Sequence, residues 1–136
     1  MEIRDLISKA FEGKEKAYTP YSNFNVGAAV LAEDNKIYKG CNIEIASYGP
    51  TLCGERTAIF KAISEGNRKI KAIAIVGDED FTYPCGVCRQ VMREFGQDLR
   101  IIIAKSLDEY KIYSLADLLP HSFGPENLKI KDEKHV

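Results

Sequence analysis

The sequence predicts an α/β layer sandwich: a single domain with a mixed five-stranded sheet flanked by helices. Three observations carry that expectation. An amphipathic helical pattern opens the chain, a hairpin pattern follows it, and a continuous apolar run of strand length (72–76) and a second buried strand (99–104) alternate with helical segments. A hairpin followed by strand–helix–strand connections gives a mixed sheet with helices on its faces. At 136 residues, 45% of them apolar, the chain suits one domain, residues 1–136, able to bury a real core.

Residues 2–18 place Ile3, Leu6, Ile7, Ala10, Phe11, Ala17 and Tyr18 at near-helical spacing, with Gly13 a weak point and Thr19-Pro20 the break. Phe24–Leu31 and Lys36–Lys39 read as the two strands of a hairpin joined by Glu33-Asp34-Asn35. Gly27-Ala28-Ala29 within the first strand implies that another element packs very close to it. A helix is expected from about Cys53 to Glu65, with Ala58, Ile59, Ala62 and Ile63 buried and Gly66 as its stop. Ala72–Val76 is a central strand. The next helix starts at Pro84-Cys85, turns Cys88, Val91, Met92 and Phe95 to one side, and ends at Gly96. Leu99–Ala104 and Tyr110–Tyr113 are strands, and Ser114 is an N-cap for a helix over Leu115–Leu119. The tail from about Lys129 to Val136 is charged and expected to fray.

Nineteen basic and twenty acidic residues nearly cancel, so no general attraction to nucleic acid or anionic membrane is expected. No apolar run approaches the roughly 18 residues that span a bilayer, and the acidic N-terminus is unlike a secretory signal. A cytoplasmic protein is expected, and in a reducing compartment four cysteines point to metal or catalysis before disulfides.

The chemistry concentrates in Cys53-Gly54-Glu55-Arg56 and Pro84-Cys85-Gly86-Val87-Cys88-Arg89. Cys85 and Cys88, at i and i+3, share one side of a helical turn. By itself a C-x-x-C at a helix start serves redox proteins as readily as metal sites. A third cysteine at another helix start, with a glutamate two residues on, turns the reading to metal. Three thiolates leave the fourth tetrahedral position open, as hydrolytic zinc sites do. A closed structural site with Cys41 as fourth ligand is the alternative. The two histidines, His121 and His135, come too late in the chain to be major ligands.

These two segments, together with Tyr21-Ser22-Asn23-Phe24-Asn25-Val26-Gly27-Ala28-Ala29 and Gly40-Cys41-Asn42-Ile43-Glu44, resemble the small homotetrameric cytidine deaminases. The similarity runs from about residue 3 to about residue 124. It implies one zinc per subunit on Cys53, Cys85 and Cys88, with Glu55 as the proton shuttle of a hydrolytic deamination of cytidine and 2′-deoxycytidine in pyrimidine salvage; the zinc nucleobase deaminases are themselves a worked case of this chemistry. It implies that Asn42 and Glu44 hold the ribose 3′-hydroxyl, that Phe24 flanks the pyrimidine, and that the Gly54 backbone N–H contacts the base. Ala46 and Tyr48 would approach the 5′ end of a nucleoside in a neighbouring subunit, and Phe123 is the aromatic a neighbour lends, so the tetramer completes its own sites. Three thiolates make the zinc site anionic, so charge must be withdrawn from the sulfurs; Arg56 is expected to do this, with Arg89 a second candidate.

Two positions depart from the family pattern. Gly54 stands where alanine is common, which loosens the helix start, and Ile45 stands where a small or polar residue is frequent. No basic groove lies near the motifs, so the partner is a free nucleoside and not a nucleotide or RNA. The competing readings are a deaminase of a cytosine-containing nucleoside antibiotic, a non-catalytic zinc-stabilised domain and a thioredoxin-like redox protein.

Overall fold

Alternation along the apolar runs sorts the core into two halves. In a strand, successive side chains face opposite sides, and here Ile73, Ile75, Ile101 and Ile103 face one layer while Ala72, Ala74, Val76, Ile102 and Ala104 face the other. The computed structural model describes residues 2–128. The chain runs α1 (Ile3–Lys14), β1 (Gly27–Ala32), β2 (Ile37–Cys41), α2 (Gly54–Ser64), β3 (Ile70–Val76), α3 (Gly86–Phe95), β4 (Arg100–Ala104), β5 (Tyr110–Ser114), α4 (Leu115–Leu118) and α5 (Pro125–Leu128). The expected tail from 129 onward, and His135 with it, lie outside the described residues.

The five strands form one sheet in the order β2-β1-β3-β4-β5. β1 is antiparallel to both β2 and β3, β3 and β4 are parallel, and β5 returns antiparallel. It follows that β2, β3 and β4 all run the same way, so the segments leaving β2 and β3 emerge at the same end of the sheet. That end is where ligands collect in open α/β sheets.

α1 covers one face through Leu6, Ile7 and Ala10. Residues of α2, α3 and α4 cover the other with Ala58, Ile59, Ala62, Cys88, Met92 and Leu115. Each fully buried Ile or Met here contributes roughly 1.5–3 kcal/mol by leaving water. Two close approaches set the depth of these layers. A Cβ at Gly27 would stand 2.2 Å from the Ala10 carbonyl oxygen, so α1 rests on the backbone of β1, the neighbour that the Gly27-Ala28-Ala29 run foretells. A Cβ at Gly40 would stand 2.4 Å from the Ala58 nitrogen and 2.7 Å from the Gly54 oxygen, so α2 rests on β2 in the same manner.

Several boundaries differ from the sequence expectation. α1 passes through Gly13 and ends at Lys14 rather than at residue 18, because the chain turns so that Tyr18 can bridge Ile43. β1 starts at Gly27, since the residues from Phe24 to Val26 serve the site loop instead. Ile63 is only partly buried. Ser114 does cap α4, with a reciprocal capping box to Asp117. The short α5 has no counterpart in the sequence reading.

Candidate active site and metal centre

Both cysteine helices begin with a cysteine in extended conformation at the N-cap: Cys53 before α2 and Cys85 before α3. An N-cap residue points its side chain back over the orphan N–H groups of the first turn, and Cys85 Sγ accepts from the Cys88 N–H at 3.5 Å. The parallel exit from β2 and β3 brings the two caps together. Cys53 Sγ lies 4.0 Å from Cys85 Sγ, and Cys85 Sγ lies 3.5 Å from Cys88 Sγ. All three sulfurs fall within 4.8 Å of one another. A tetrahedral zinc with Zn–S bonds of about 2.3 Å separates its sulfurs by about 3.8 Å, so this spacing fits one zinc ion. Cys41 sits buried at the end of β2 and is not part of the cluster, and no histidine or carboxylate joins it among the described residues. Three protein ligands and an open fourth position are the pattern of a hydrolytic site.

The electrostatics of the metal-free chain agree. Cys53 is pulled down to about 5, first by the hydrogen bond from Cys88 and further by the hydrogen bond and charge of Arg56, against the effect of burial. Cys88 is pushed up by that same sharing with Cys53, by burial and by the charge of Glu55. One thiolate and one thiol thus share a proton that zinc binding would expel. Glu55, 4% exposed, is pushed up to about 7 by burial and then by the charge of Cys53. A carboxyl held near neutrality can both take and give a proton at physiological pH.

Arg56 donates through Nη2 to Cys53 Sγ and to the Thr51 carbonyl, each at 3.4 Å, so its guanidinium lies on a ligand sulfur. Arg89 is placed differently. It donates through Nε to the Pro84 carbonyl at 2.8 Å and through Nη1 to the Leu118 carbonyl at 2.7 Å, bracing the turn that presents Cys85.

Of the remaining expected residues, Phe24 precedes β1, Asn42 and Glu44 follow β2, and Gly54 opens α2. The Asn42 side chain accepts from the Val26 N–H and donates to the Phe24 carbonyl, both at 2.9 Å, and so shapes the loop on which Phe24 rides. The Phe24 ring packs on Gly77. Gly54 lies against Val26 and Asn42, where a Cβ would meet Val26 at 3.2 Å. Glu44 is buried and accepts from the Tyr21 and Ser22 N–H groups at 3.1 and 3.0 Å and from the Ser22 hydroxyl. These bonds, the Ser22 hydroxyl foremost, hold its carboxyl below the usual carboxylate range. A cavity of about 270 Å³ opens beside it, bounded by Tyr21, Ser22, Glu44, Tyr48 and Thr51. Ala46, Tyr48 and Phe123 are exposed, Tyr48 by 67% and Phe123 by 57%. A larger cavity of about 580 Å³ surrounds Arg93 and Gly96; none of the expected site residues borders it, so its size carries no weight for the chemistry.

Two supporting residues went unnoticed in the sequence. Asp78 accepts from the Asn25 N–H at 2.7 Å and pairs with Lys14 at 2.8 Å, pinning the Phe24 loop to α1. Thr51 accepts from the Ile45 N–H at 3.0 Å and fixes the loop of Ala46 and Tyr48. Only their position beside motif residues could have flagged them.

Residues 1–105 match the family described as "Cytidine and deoxycytidylate deaminase zinc-binding region". A cytidine deaminase of Sporosarcina psychrophila is 45% identical over 136 residues, covering 98% of this chain and 100% of that protein. One from Halalkalibacterium halodurans is 45% identical, covering 94% of this chain and 98% of that protein. Among solved structures, the cytidine deaminase of Burkholderia pseudomallei superposes with a TM-score of 0.85 at 46% identity, covering 90% of this chain and 100% of that one. The Mycobacterium tuberculosis cytidine deaminase gives 0.80 at 38% identity, covering 91% and 98%. The sulfur cage, the mixed sheet that assembles it and these likenesses lead to one conclusion: the chain belongs to the zinc-binding cytidine and deoxycytidylate deaminase family.

Proposed function

We propose that this protein hydrolyses cytidine, and 2′-deoxycytidine alongside it, to the uridine nucleoside and ammonia. The observation that carries the reading is the pairing of a three-sulfur cage, lacking a fourth protein ligand among the described residues, with a buried carboxyl two residues after one of those sulfurs. Cys53, Cys85 and Cys88 would hold zinc, which would supply the Lewis acid that makes water acidic enough to act near neutral pH.

The chain's own groups do the proton work. Glu55 takes a proton from the water that attacks C4 and delivers it to N3, then takes the remaining proton of the new C4 hydroxyl and passes it to the departing amino group, leaving the C4 carbonyl of uridine and ammonia. Its near-neutral carboxyl suits both directions of transfer. Arg56 draws charge from Cys53, which keeps three thiolates from quenching the acidity of the site. Arg89 acts one step back, by holding the carbonyl of Pro84 next to Cys85.

Nucleoside selection falls to the loop residues. Phe24 faces the pyrimidine and the Gly54 N–H meets the base. Asn42 and Glu44 hold the ribose 3′-hydroxyl, using the acceptor capacity their internal bonds leave over: among the described residues Glu44 Oε2 takes only the Ser22 hydroxyl, and Asn42 Oδ1 only one N–H. The contiguous exposure of Tyr21, Ile45 and Tyr48, with Tyr21 and Tyr48 edge to face, and the exposed Phe123 support a homotetramer in which Ala46, Tyr48 and Phe123 complete neighbouring sites. Thiolate ligands suit the reducing cytoplasm, where we place the protein.

Loss of cytidine absorbance in the ultraviolet tests the reading. Turnover abolished by a chelator and restored by zinc is expected, with cytidine and deoxycytidine both consumed and a tetrameric mass in sedimentation. Turnover confined to a cytosine-containing antibiotic nucleoside, or insensitive to metal removal, would overturn it.

A further inference from the structure

Three polar side chains of α3 reach across to the segment that carries Phe123. Arg89 donates to the Leu118 carbonyl at 2.7 Å, Gln90 Nε2 donates to the Phe123 carbonyl at 2.7 Å, and Arg93 Nε donates to Ser122 Oγ at 2.8 Å. Arg93 also pairs through Nη2 with Glu126. The helix that supplies Cys88 is therefore fastened to residues 118–126 at several points.

Arg93 is the unusual member of the set. Its side chain is only 10% exposed, and its Nη1 is buried without a partner among the described residues. Arginine is almost never buried this far unless its whole charge is matched, because desolvation of the cation is costly. A solvated surface role does not account for it. The segment is shaped to receive it: a Cβ at Gly124 would stand 2.4 Å from Arg93 Cζ and 2.5 and 2.6 Å from its two terminal nitrogens. Ser122, Gly124 and Glu126 thus all touch or border one guanidinium, and Phe123 lies between the first two. Its carbonyl is tied down while the residue as a whole stands 57% exposed.

We propose that Arg93 is a positioning residue for the deamination: by gripping Ser122, Gly124 and Glu126 it fixes the direction in which Phe123 leaves the surface, and so how the ring closes the pyrimidine pocket of a neighbouring subunit. This rests on the reading that Phe123 works across subunits.

Hybrid tetramers made by co-expressing two differently tagged chains separate the two ideas. An acceptor chain carries Phe123→Ala with Glu55 intact, and a donor chain carries Glu55→Gln with Phe123 intact. If Phe123 acts across subunits, each parent is impaired and the hybrid regains turnover in acceptor sites. Arg93→Gln is then placed in one chain at a time. In the donor it is expected to raise KM for cytidine at least tenfold, bounded by the roughly hundredfold cost of a 1 Å misplacement, with zinc content and tetrameric mass unchanged. In the acceptor it is expected to shift KM less than twofold. Glu126→Gln, at the exposed end of the grip, follows the same donor-only rule with a smaller rise and guards against misfolding of the first variant. An equal effect from both chains, an acceptor-only effect, or none in either while the hybrid still regains turnover, would overturn the Arg93 proposal alone. A hybrid that regains nothing would overturn the cross-subunit reading and this proposal with it.

Discussion

Replacing Gly40 by alanine should damage stability and metal binding together. The new Cβ would stand 2.4 Å from the Ala58 nitrogen and 2.7 Å from the Gly54 oxygen, where ordinary contact begins at 3.4 Å. Helix α2 must therefore retreat from β2 by up to 3.4 − 2.4 = 1.0 Å. Both obstructing atoms are helix backbone, so no side-chain rotation relieves the clash. Overpacking of this kind costs about 1–3 kcal/mol, and the absence of a flexible partner puts the value at the upper end. For a domain of this size that corresponds to a fall in Tm of about 10–15 °C. The retreat also displaces Gly54 and Cys53 relative to Cys85, whose sulfur now lies 4.0 Å away, close to the separation of about 3.8 Å that a tetrahedral zinc imposes. The assay is thermal unfolding at matched protomer concentration, with zinc competition against a chromophoric chelator. Gly49→Ala is the control, since nothing lies within 4 Å of its added Cβ, and it should change stability by less than about 0.5 kcal/mol. A Gly40→Ala protein that melts within 2 °C of the parent and holds zinc as tightly would refute backbone-on-backbone packing of α2 upon β2.

Glu55→Gln should cut kcat by about 10²–10⁴ or more while keeping one zinc per chain; loss of the metal together with activity would mean that Glu55 serves the cage and not the proton. The same substitution has a pH signature in the metal-free protein. Folding raises the Glu55 carboxyl to about 7, so between its unfolded value near 4.3 and that point the native state binds the extra proton. Stability then declines as pH rises through this window, by up to about 3 kcal/mol, and the glutamine variant lacks the decline. Urea unfolding at pH 5 and pH 8 reads the difference, and parallel behaviour of the two proteins contradicts the desolvation. Arg56→Ala should raise the titration of Cys53 above its present value of about 5 and lower zinc affinity or turnover about 10–100-fold, as followed by thiolate absorbance and chelator competition; an unmoved thiolate titration counts against its contact with the sulfur. Glu44 works with the opposite sign to Glu55. Its carboxyl is lowered by the Ser22 hydroxyl and the backbone N–H groups, so its contribution is complete above the unfolded value and disappears as pH falls through the lower folded one. The stability gap between parent and Glu44→Gln should therefore close on acidification below about pH 4, and a gap independent of pH would exclude those bonds as its source.

Strand alternation and the cysteine spacing make most of the sheet and the clustering of Cys53, Cys85 and Cys88 legible in the sequence. Ile73 and Ile75 against Ala72 and Ala74 is a period-two pattern on a strand buried from both sides, and Cys85 with Cys88 is one turn of helix. Both are local facts, written within a few residues. What was not legible is long-range. The sequence gives no sign that residues 15–18 abandon the helix so that Tyr18 can meet Ile43. Nor does it indicate that Arg89 reaches the carbonyls of Pro84 and Leu118, because any arginine on a helix surface has many carbonyls within range. Arg93 reads as an ordinary charged residue of an amphipathic helix. Only the fold reveals that Gly124, thirty-one positions later, leaves room for its guanidinium.

Strands β2 and β3, which feed the two cysteine caps, are not adjacent; β1 lies between them. The ion's two anchorages are thus 32 residues apart in sequence and one whole strand apart in space. Cys85 and Cys88 stand one helical turn apart on a single element, whereas Cys53 meets them across β1, which is paired on both edges. A cation held by all three sulfurs would act as a clasp across the top of three strands, resisting their separation much as a covalent cross-link would.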